Sequence, residues 1–199
     1  MLRLGFLASH GGSGMRAALA AIAAGQLDAD PRILVTNNRD CAAVAAAEAA
    51  GLAWRHISAA NVGSVEAADT AIAEALSDAG ANLVVLSGYM RKLGPETLAR
   101  FRGRILNIHP ALLPRHGGRG LYGRHVHEAV RASGAAISGA SIHLVDADYD
   151  TGPVIARAEV PVSPDDSVED LEARVRAVEP ALMVQTLKRI AAGELTLPA

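Results

Sequence analysis

Short apolar runs alternate with longer amphipathic runs along this chain, from its first residues onward. Apolar runs of this length, rich in Val, Ile and Leu and bounded by Gly, Asn or Asp, are typical of β-strands. They predict about seven strands, at Leu2–Ala8, Arg32–Thr36, Trp54–Ser58, Asn82–Ser87, Ile105–His109, Ala140–Asp146 and Val154–Val160.

The amphipathic runs carry apolar residues at spacings of three and four, which indicates helices. The predicted helices are Met15–Gly25, Asp40–Gly51, Val65–Ala79, Pro95–Phe101 and Ser167–Ala192. Ser167 begins the last of these, because Ser167-Val168-Glu169-Asp170 matches an N-terminal capping pattern. Strands that alternate with helices predict a single-domain, Rossmann-like α/β fold, in which a mostly parallel twisted sheet has helices on both faces.

Composition narrows the class of protein. The chain has 199 residues, a length typical of one domain, and we assign 1–199 to it. The formal net charge is −2 and no Lys/Arg run is present, which argues against a nucleic-acid or membrane surface. No apolar run has the length of a membrane span, and the first residues show no secretion signal. The expected location is therefore the cytoplasm, and a single cysteine excludes a disulfide framework or a cysteine zinc site.

The first strand-to-helix turn contains Gly12, Ser13 and Gly14. Glycines allow a tight turn there, so that free amides at a helix N-terminus face an anion, although an ordinary turn without a ligand is about as common. The spacing also fits a dinucleotide-binding turn. That class requires an acidic residue at the end of the second strand, where this chain has Asn37, so a monophosphate is the better hypothesis.

Asn107 and His109 are two residues apart in a predicted strand and therefore project from the same face. An amide that donates to an oxyanion, beside an imidazole that moves a proton, suits attack on a carbonyl-like carbon. Asp150 lies in an acidic run that is either a carboxylate partner for His109, favouring its protonated form, or a solvated turn. By itself each pattern is weak. His143 is either a satisfied buried residue or part of the site.

His125 and His127 could suggest a metal, but the start of a helix explains them better, and we predict no metal site. The segment from Pro110 to Arg124 is rich in glycine and proline and is predicted to be a long loop. Such a loop either moves over a binding cleft or is a surface segment that contacts nothing.

Together these segments resemble the phosphoribosylglycinamide formyltransferase family over nearly the whole chain. The segments that carry the resemblance are Ser9-His10-Gly11-Gly12-Ser13, Leu86-Ser87-Gly88-Tyr89-Met90-Arg91-Lys92-Leu93, Leu106-Asn107-Ile108-His109-Pro110-Ala111-Leu112-Leu113-Pro114, Gly139-Ala140-Ser141-Ile142-His143-Leu144-Val145 and Asp150-Thr151-Gly152-Pro153-Val154-Ile155. The Asn-Ile-His-Pro segment is typical of folate-dependent formyltransferases, and the glycine-serine loop narrows the match.

The resemblance implies transfer of a formyl group from 10-formyltetrahydrofolate to the amine of glycinamide ribonucleotide, in purine synthesis. Both substrates are small molecules, and a homodimer is left open. The implied catalytic residues are Asn107, His109 and Asp150. Residues about 1–94 would then form a phosphate-binding half and residues about 95–199 a folate-binding and catalytic half. The implied ligand residues are Gly12, Ser13, Gly14 and Glu179 for the ribonucleotide, and Met90, Arg91, Lys92, Leu93 and Asn107 for the folate.

Three departures from the family pattern affect this assignment. Gly14 stands where asparagine is usual, Val65 replaces an arginine often found near that helix start, and the loop 115–124 is longer than in common members. The alternatives are a formyltetrahydrofolate hydrolase, another folate-dependent formyltransferase such as the transfer RNA enzyme, or a nucleotide-binding module without chemistry. The first two usually carry a further domain, and the third does not account for Asn107, His109 and Asp150 together.

Overall fold

Seven strands form one sheet in the computed structural model, which describes residues 1–198. They are β1 Leu2–Ala8, β2 Ala29–Thr36, β3 Trp54–His56, β4 Leu83–Leu86, β5 Ile105–His109, β6 Ile137–Leu144 and β7 Val154–Pro161. The spatial order is β3-β2-β1-β4-β5-β6-β7. Strands β1 to β5 are parallel, whereas β6 and β7 are antiparallel to their neighbours. The predicted α/β fold is confirmed.

The helices are α1 Ser13–Ala23, α2 Ala42–Ala49, α3 Ala59–Val62, α4 Val65–Asp78, α5 Pro95–Arg100, α6 Arg124–Ala132 and α7 Val168–Ala191. The predicted cap of α7 is present, because the Ser167 hydroxyl accepts a hydrogen bond from the Asp170 amide and the Asp170 carboxylate accepts from the Ser167 amide. This reciprocal pairing satisfies two amides at the start of the helix.

Two apolar cores cover the two faces of the sheet. Phe6 and Leu106 point to the core that contains α1, α2, α6 and α7. Leu7 and Ile105 point to the core that contains α4 and α5. Gly5 brings α4 close to the sheet, because a Cβ there would lie 2.5 Å from a methyl carbon of Leu76. Strands from both halves of the chain, before and after residue 94, belong to this one sheet. The described residues therefore pack as one domain.

Three differences from the sequence predictions have a clear local cause. β2 begins at Ala29 rather than at Arg32, because its first residues pair with β1 ahead of the register shift next to Leu4. β6 begins at Ile137 rather than at Ala140, since a serine and a glycine at its start conceal the apolar pattern of the strand. Helix α3 was not predicted, because four residues are too few to show a helical period.

Candidate active site

The site lies where β1, β4 and β5 end side by side. Leu7 of β1 pairs with Leu86 of β4, which pairs with Asn107 of β5. The segments that follow these strands are therefore neighbours at one edge of the sheet, about 10 Å across from β1 to β5. In open parallel sheets this edge is where ligands bind.

The turn between β1 and α1 leaves two amides without helical partners. Gly12 caps the helix with φ of 60°, and a Cβ there would lie 2.9 Å from Ala43, so the position requires glycine. The Met15 amide donates to the Ser87 hydroxyl and the Arg16 amide to the Gly12 carbonyl. The amides of Ser13 and Gly14 belong to the open end of the helix, where an anion is favoured.

Gly14 is closely surrounded, although it is a departure from the family pattern. A Cβ there would lie 3.3 Å from the Ser87 hydroxyl oxygen and 3.6 Å from Met183 on α7. Position 14 therefore has little room for a longer side chain.

The segment Met90–Leu93 lies beside this turn and is fixed at its far end. Asp69, which is buried on α4, accepts hydrogen bonds from the amides of Gly94, Glu96 and Thr97 at the start of α5. Leu93 is buried, whereas Met90, Arg91 and Lys92 are exposed. The Lys92 ammonium lies 5.6 Å from the centre of the Tyr149 ring, which connects this segment to the β6–β7 loop.

Asn107 and His143 face each other across the β5–β6 pair. The Asn107 Nδ2 lies 3.1 Å from the His143 Nε2, and the His143 Nδ1 lies 2.9 Å from the Leu144 carbonyl oxygen. Because a carbonyl only accepts, the Nδ1 carries the proton and the Nε2 accepts from the Asn107 amide. The second Nδ2 hydrogen of Asn107 is then available to a ligand. His143, left open by the sequence, lines the site.

His109 and Asp150 form the buried centre of the site. The His109 Nδ1 lies 3.4 Å from the Asp150 Oδ2, and the side chains are 4% and 11% exposed. The His109 Nε2 lies 2.8 Å from the carbonyl oxygen of His116, and the Gly118 amide donates to Asp150. The loop 110–124 therefore contacts both residues, and the reading of that loop as a segment that touches nothing is wrong.

Burial controls the protonation of this pair. Burial lowers the pKa of His109 below its usual value, and this outweighs the nearby Asp150 carboxylate, which acts in the opposite direction. Burial alone would raise the pKa of Asp150, but hydrogen bonding, including that from the Gly118 amide, lowers the pKa overall. The resting pair is therefore a carboxylate beside a neutral imidazole whose proton is on Nε2. Asp150 does favour the protonated form of His109, as expected from the sequence, but burial has the larger effect on the pKa of the ring.

Glu179 lies on the side of α7 that faces α1, because Met183, one helical turn further on, packs beside Gly14. Burial raises the pKa of Glu179 to about 7, although Arg176 opposes the shift. The side chain thus takes up or releases a proton near neutral pH.

The stability of the parent protein is expected to fall as pH rises through the pKa of Glu179, and Glu179→Gln is expected to reduce this fall. The folded-state pKa is above the unfolded value, so the folded protein binds more protons between about 4.5 and about 7, and its stability falls across this window. Glutamine does not titrate. Melting curves at pH 5 and pH 8 should therefore show a smaller decrease in Tm for the variant than for the parent protein. An equal decrease in both would contradict the assigned pKa.

The structure brings Asn107, His109 and Asp150 into one cluster, and it places Gly12, Ser13, Gly14 and Met90 at the same edge of the sheet. The sequence did not single out Ser9, Ser87 or the His116 carbonyl. Within residues 1–198, no group of three or more His, Cys, Asp or Glu side chains is arranged to hold a metal ion. None of the helices in that part of the chain combines the length and apolar composition of a membrane span.

An amide donor and an imidazole–carboxylate pair beside free helix amides can stabilise the oxyanion that forms at a carbonyl carbon. The site is therefore of the acyl-transfer class. Sequence comparison narrows this class. The chain belongs to the formyl transferase family, which residues 2–187 match.

Two curated relatives and one solved structure illustrate the similarity. Phosphoribosylglycinamide formyltransferase from Mycobacterium tuberculosis is 39% identical over 98% of this chain and 87% of its own length. The chloroplastic enzyme of the same name from Arabidopsis thaliana is 38% identical over 94% of this chain, but this chain spans only 65% of its length. Glycinamide ribonucleotide transformylase 1 from Symbiobacterium toebii has a TM-score of 0.92 and 34% identity, covering 100% of this chain and 92% of its own.

Proposed function

We propose that this protein transfers the formyl group of 10-formyltetrahydrofolate to the amine of 5′-phosphoribosylglycinamide. The observation that carries the proposal is the Asn107–His109–Asp150 cluster, which lies at the same edge of the sheet as the helix turn 12–14 after β1 and the segment 90–93 after β4. A reaction that joins two ligands needs two adjoining binding surfaces, and these two segments follow adjacent strands.

The ribonucleotide occupies the α1 side of the site in this proposal. The amides of Ser13 and Gly14, with the turn at Gly12, hold its phosphate. These local amides attract the anion although the net charge of the protein is −2. Glu179, on the face of α7 that adjoins α1, lies near the glycinamide end. The carboxylate form of Glu179 suits hydrogen bonds from hydroxyl or amine groups.

The folate occupies the side formed by Met90, Arg91, Lys92 and Leu93. The Met90 amide already donates to the Ser9 hydroxyl, so Met90 contacts the folate through its exposed side chain or its carbonyl. Arg91 and Lys92 supply positive charge to an anionic cofactor. The formyl group then points toward Asn107.

The residues of the cluster act in sequence once the amine attacks the formyl carbon. The Asn107 amide donates to the oxyanion that forms. His109 accepts the proton that the amine releases and passes it to the departing folate nitrogen, while Asp150 stabilises the transient imidazolium. In the structure the His109 Nε2 carries the ring proton and donates it to the His116 carbonyl. Before Nε2 can accept the amine proton, the reacting groups must displace that carbonyl and the ring proton must sit on Nδ1, which faces Asp150.

Release of tetrahydrofolate, followed spectrophotometrically with and without the ribonucleotide, tests this function. We expect release only when 5′-phosphoribosylglycinamide is present. Release that is independent of the ribonucleotide would instead indicate a formyltetrahydrofolate hydrolase. Binding of both ligands without release would indicate a nucleotide-binding module. The reaction as proposed uses no metal and takes place in the cytoplasm.

A further inference from the structure

Two buried serines connect the segment after β1 with the segment after β4. Ser9 follows β1 and is 2% exposed, and Ser87 follows β4 and is 1% exposed. Neither side chain has a role in the reaction proposed above. Each hydroxyl accepts a hydrogen bond from a backbone amide of the opposite segment.

The two hydrogen bonds cross between the segments. The Met90 amide donates to the Ser9 hydroxyl at 2.8 Å, and that hydroxyl donates to the Asn37 side-chain oxygen at 2.6 Å. The Met15 amide, in the first turn of α1, donates to the Ser87 hydroxyl at 3.0 Å. The Ser9 hydroxyl thus holds the segment Met90–Leu93, and the Ser87 hydroxyl holds the first turn of α1.

Backbone pairing between the two segments ends at these two residues. The Ser87 amide donates to the Leu7 carbonyl and the Ser9 amide donates to the Gly88 carbonyl. In residues 1–198 these are the last backbone hydrogen bonds between the two segments. Beyond them, the serine hydroxyls fix how far apart the segments lie.

We propose that Ser9 and Ser87 are positioning residues that set the separation between the bound ribonucleotide and the bound folate. The inference rests on the proposed function, because it concerns the two ligands of that reaction. An amide that loses its acceptor shifts to find another, so removal of either hydroxyl moves one segment relative to the other.

Such a shift changes kcat more than it changes either KM. The amine and the formyl carbon must approach to about 3–3.5 Å, and a displacement of about 1 Å can reduce the rate by about 10²-fold. The amides of Met15 and Met90 are already bonded to the serines, so their loss from this pairing removes no contact that a ligand makes.

The test compares Ser9→Ala, Ser87→Ala and the double variant with the parent protein. Ser138→Ala is the matched control, because Ser138 is 2% exposed and its hydroxyl has no hydrogen-bond partner within residues 1–198. We measure kcat, both KM values and Tm for each. The Ser87 hydroxyl accepts from an amide of α1, whereas the Ser9 hydroxyl bonds to residues outside the helices. Ser9→Ala therefore carries the test if Ser87→Ala does not fold.

We expect kcat to fall about 10-fold or more in each serine variant, with both KM values within about threefold of the parent and Ser138→Ala unchanged. The double variant should lose less than the product of the single losses, because both serines set one distance. The inference is overturned if kcat is retained, if only KM rises, or if Ser138→Ala loses as much. A parent protein without ribonucleotide-dependent release would instead refute the proposed function itself.

Discussion

His109→Ala is expected to lower kcat for formyl transfer by about 10²–10⁴-fold, the usual contribution of a general acid–base residue. Of Asn107, His109 and Asp150, the His109 imidazole is the group that can both accept the amine proton and donate to the folate nitrogen near neutral pH. Asp150 cannot replace it, because hydrogen bonds and neighbouring charge hold the pKa of Asp150 below its usual value. Steady-state kinetics at saturating concentrations of both substrates measure the effect.

His125→Ala is the matched control for this variant. His125 lies on the surface of α6 with its side chain 60% exposed, and it contacts Glu128 on the same helix. Its removal should leave kcat unchanged. A His109→Ala protein that is folded by circular dichroism and has near-parental kcat would rule out the proton-transfer role.

Asn107→Asp is expected to lower kcat by about 10²–10³-fold, the usual cost of losing one donor to an oxyanion. The two side chains have nearly the same shape, but an aspartate carboxylate has no hydrogen to donate and repels a developing negative charge. The His143 Nε2 also loses the donor that it has in the parent protein. The folate KM should change much less than kcat.

Tm and the binding of a non-reactive folate analogue separate this effect from a loss of structure. We expect both to remain close to those of the parent protein. Equal losses in analogue affinity and in kcat would show that Asn107 binds the ground state and does not act selectively on the transition state.

Much of the fold follows directly from the sequence, because the short apolar runs and the apolar spacing of three and four are strong signals in this chain. Asn107 and His109 could also be placed on one face from the alternation of strand residues alone. The short helix α3 and the first residues of β2 and β6 could not, since tertiary pairing and not local pattern determines them.

The rest of the site depends on contacts between distant segments. His143 meets Asn107 through the β5–β6 register, which periodicity does not specify. Asp150 reaches His109 because the β6–β7 loop folds back, and Asp150 itself has a left-handed backbone with φ of 58°. The resemblance, and not the local pattern, is what indicated that residue.

The protonation of His109 could not be predicted for a related reason. A carboxylate neighbour favours the charged ring and burial disfavours it, and only the structure shows that burial has the larger effect on the pKa. Similarly, the sequence shows that Gly14 is unusual, but only the structure shows how closely Ser87 and Met183 surround it.

The fate of the formyl carbon tests the central claim most directly. The protein is given 10-formyltetrahydrofolate that is isotopically labelled in its formyl carbon, together with 5′-phosphoribosylglycinamide, and the products are analysed by mass spectrometry. We predict that the label appears on the amine of the ribonucleotide in an amount equal to the tetrahydrofolate released. Label recovered as free formate, with the ribonucleotide unmodified, would contradict the account.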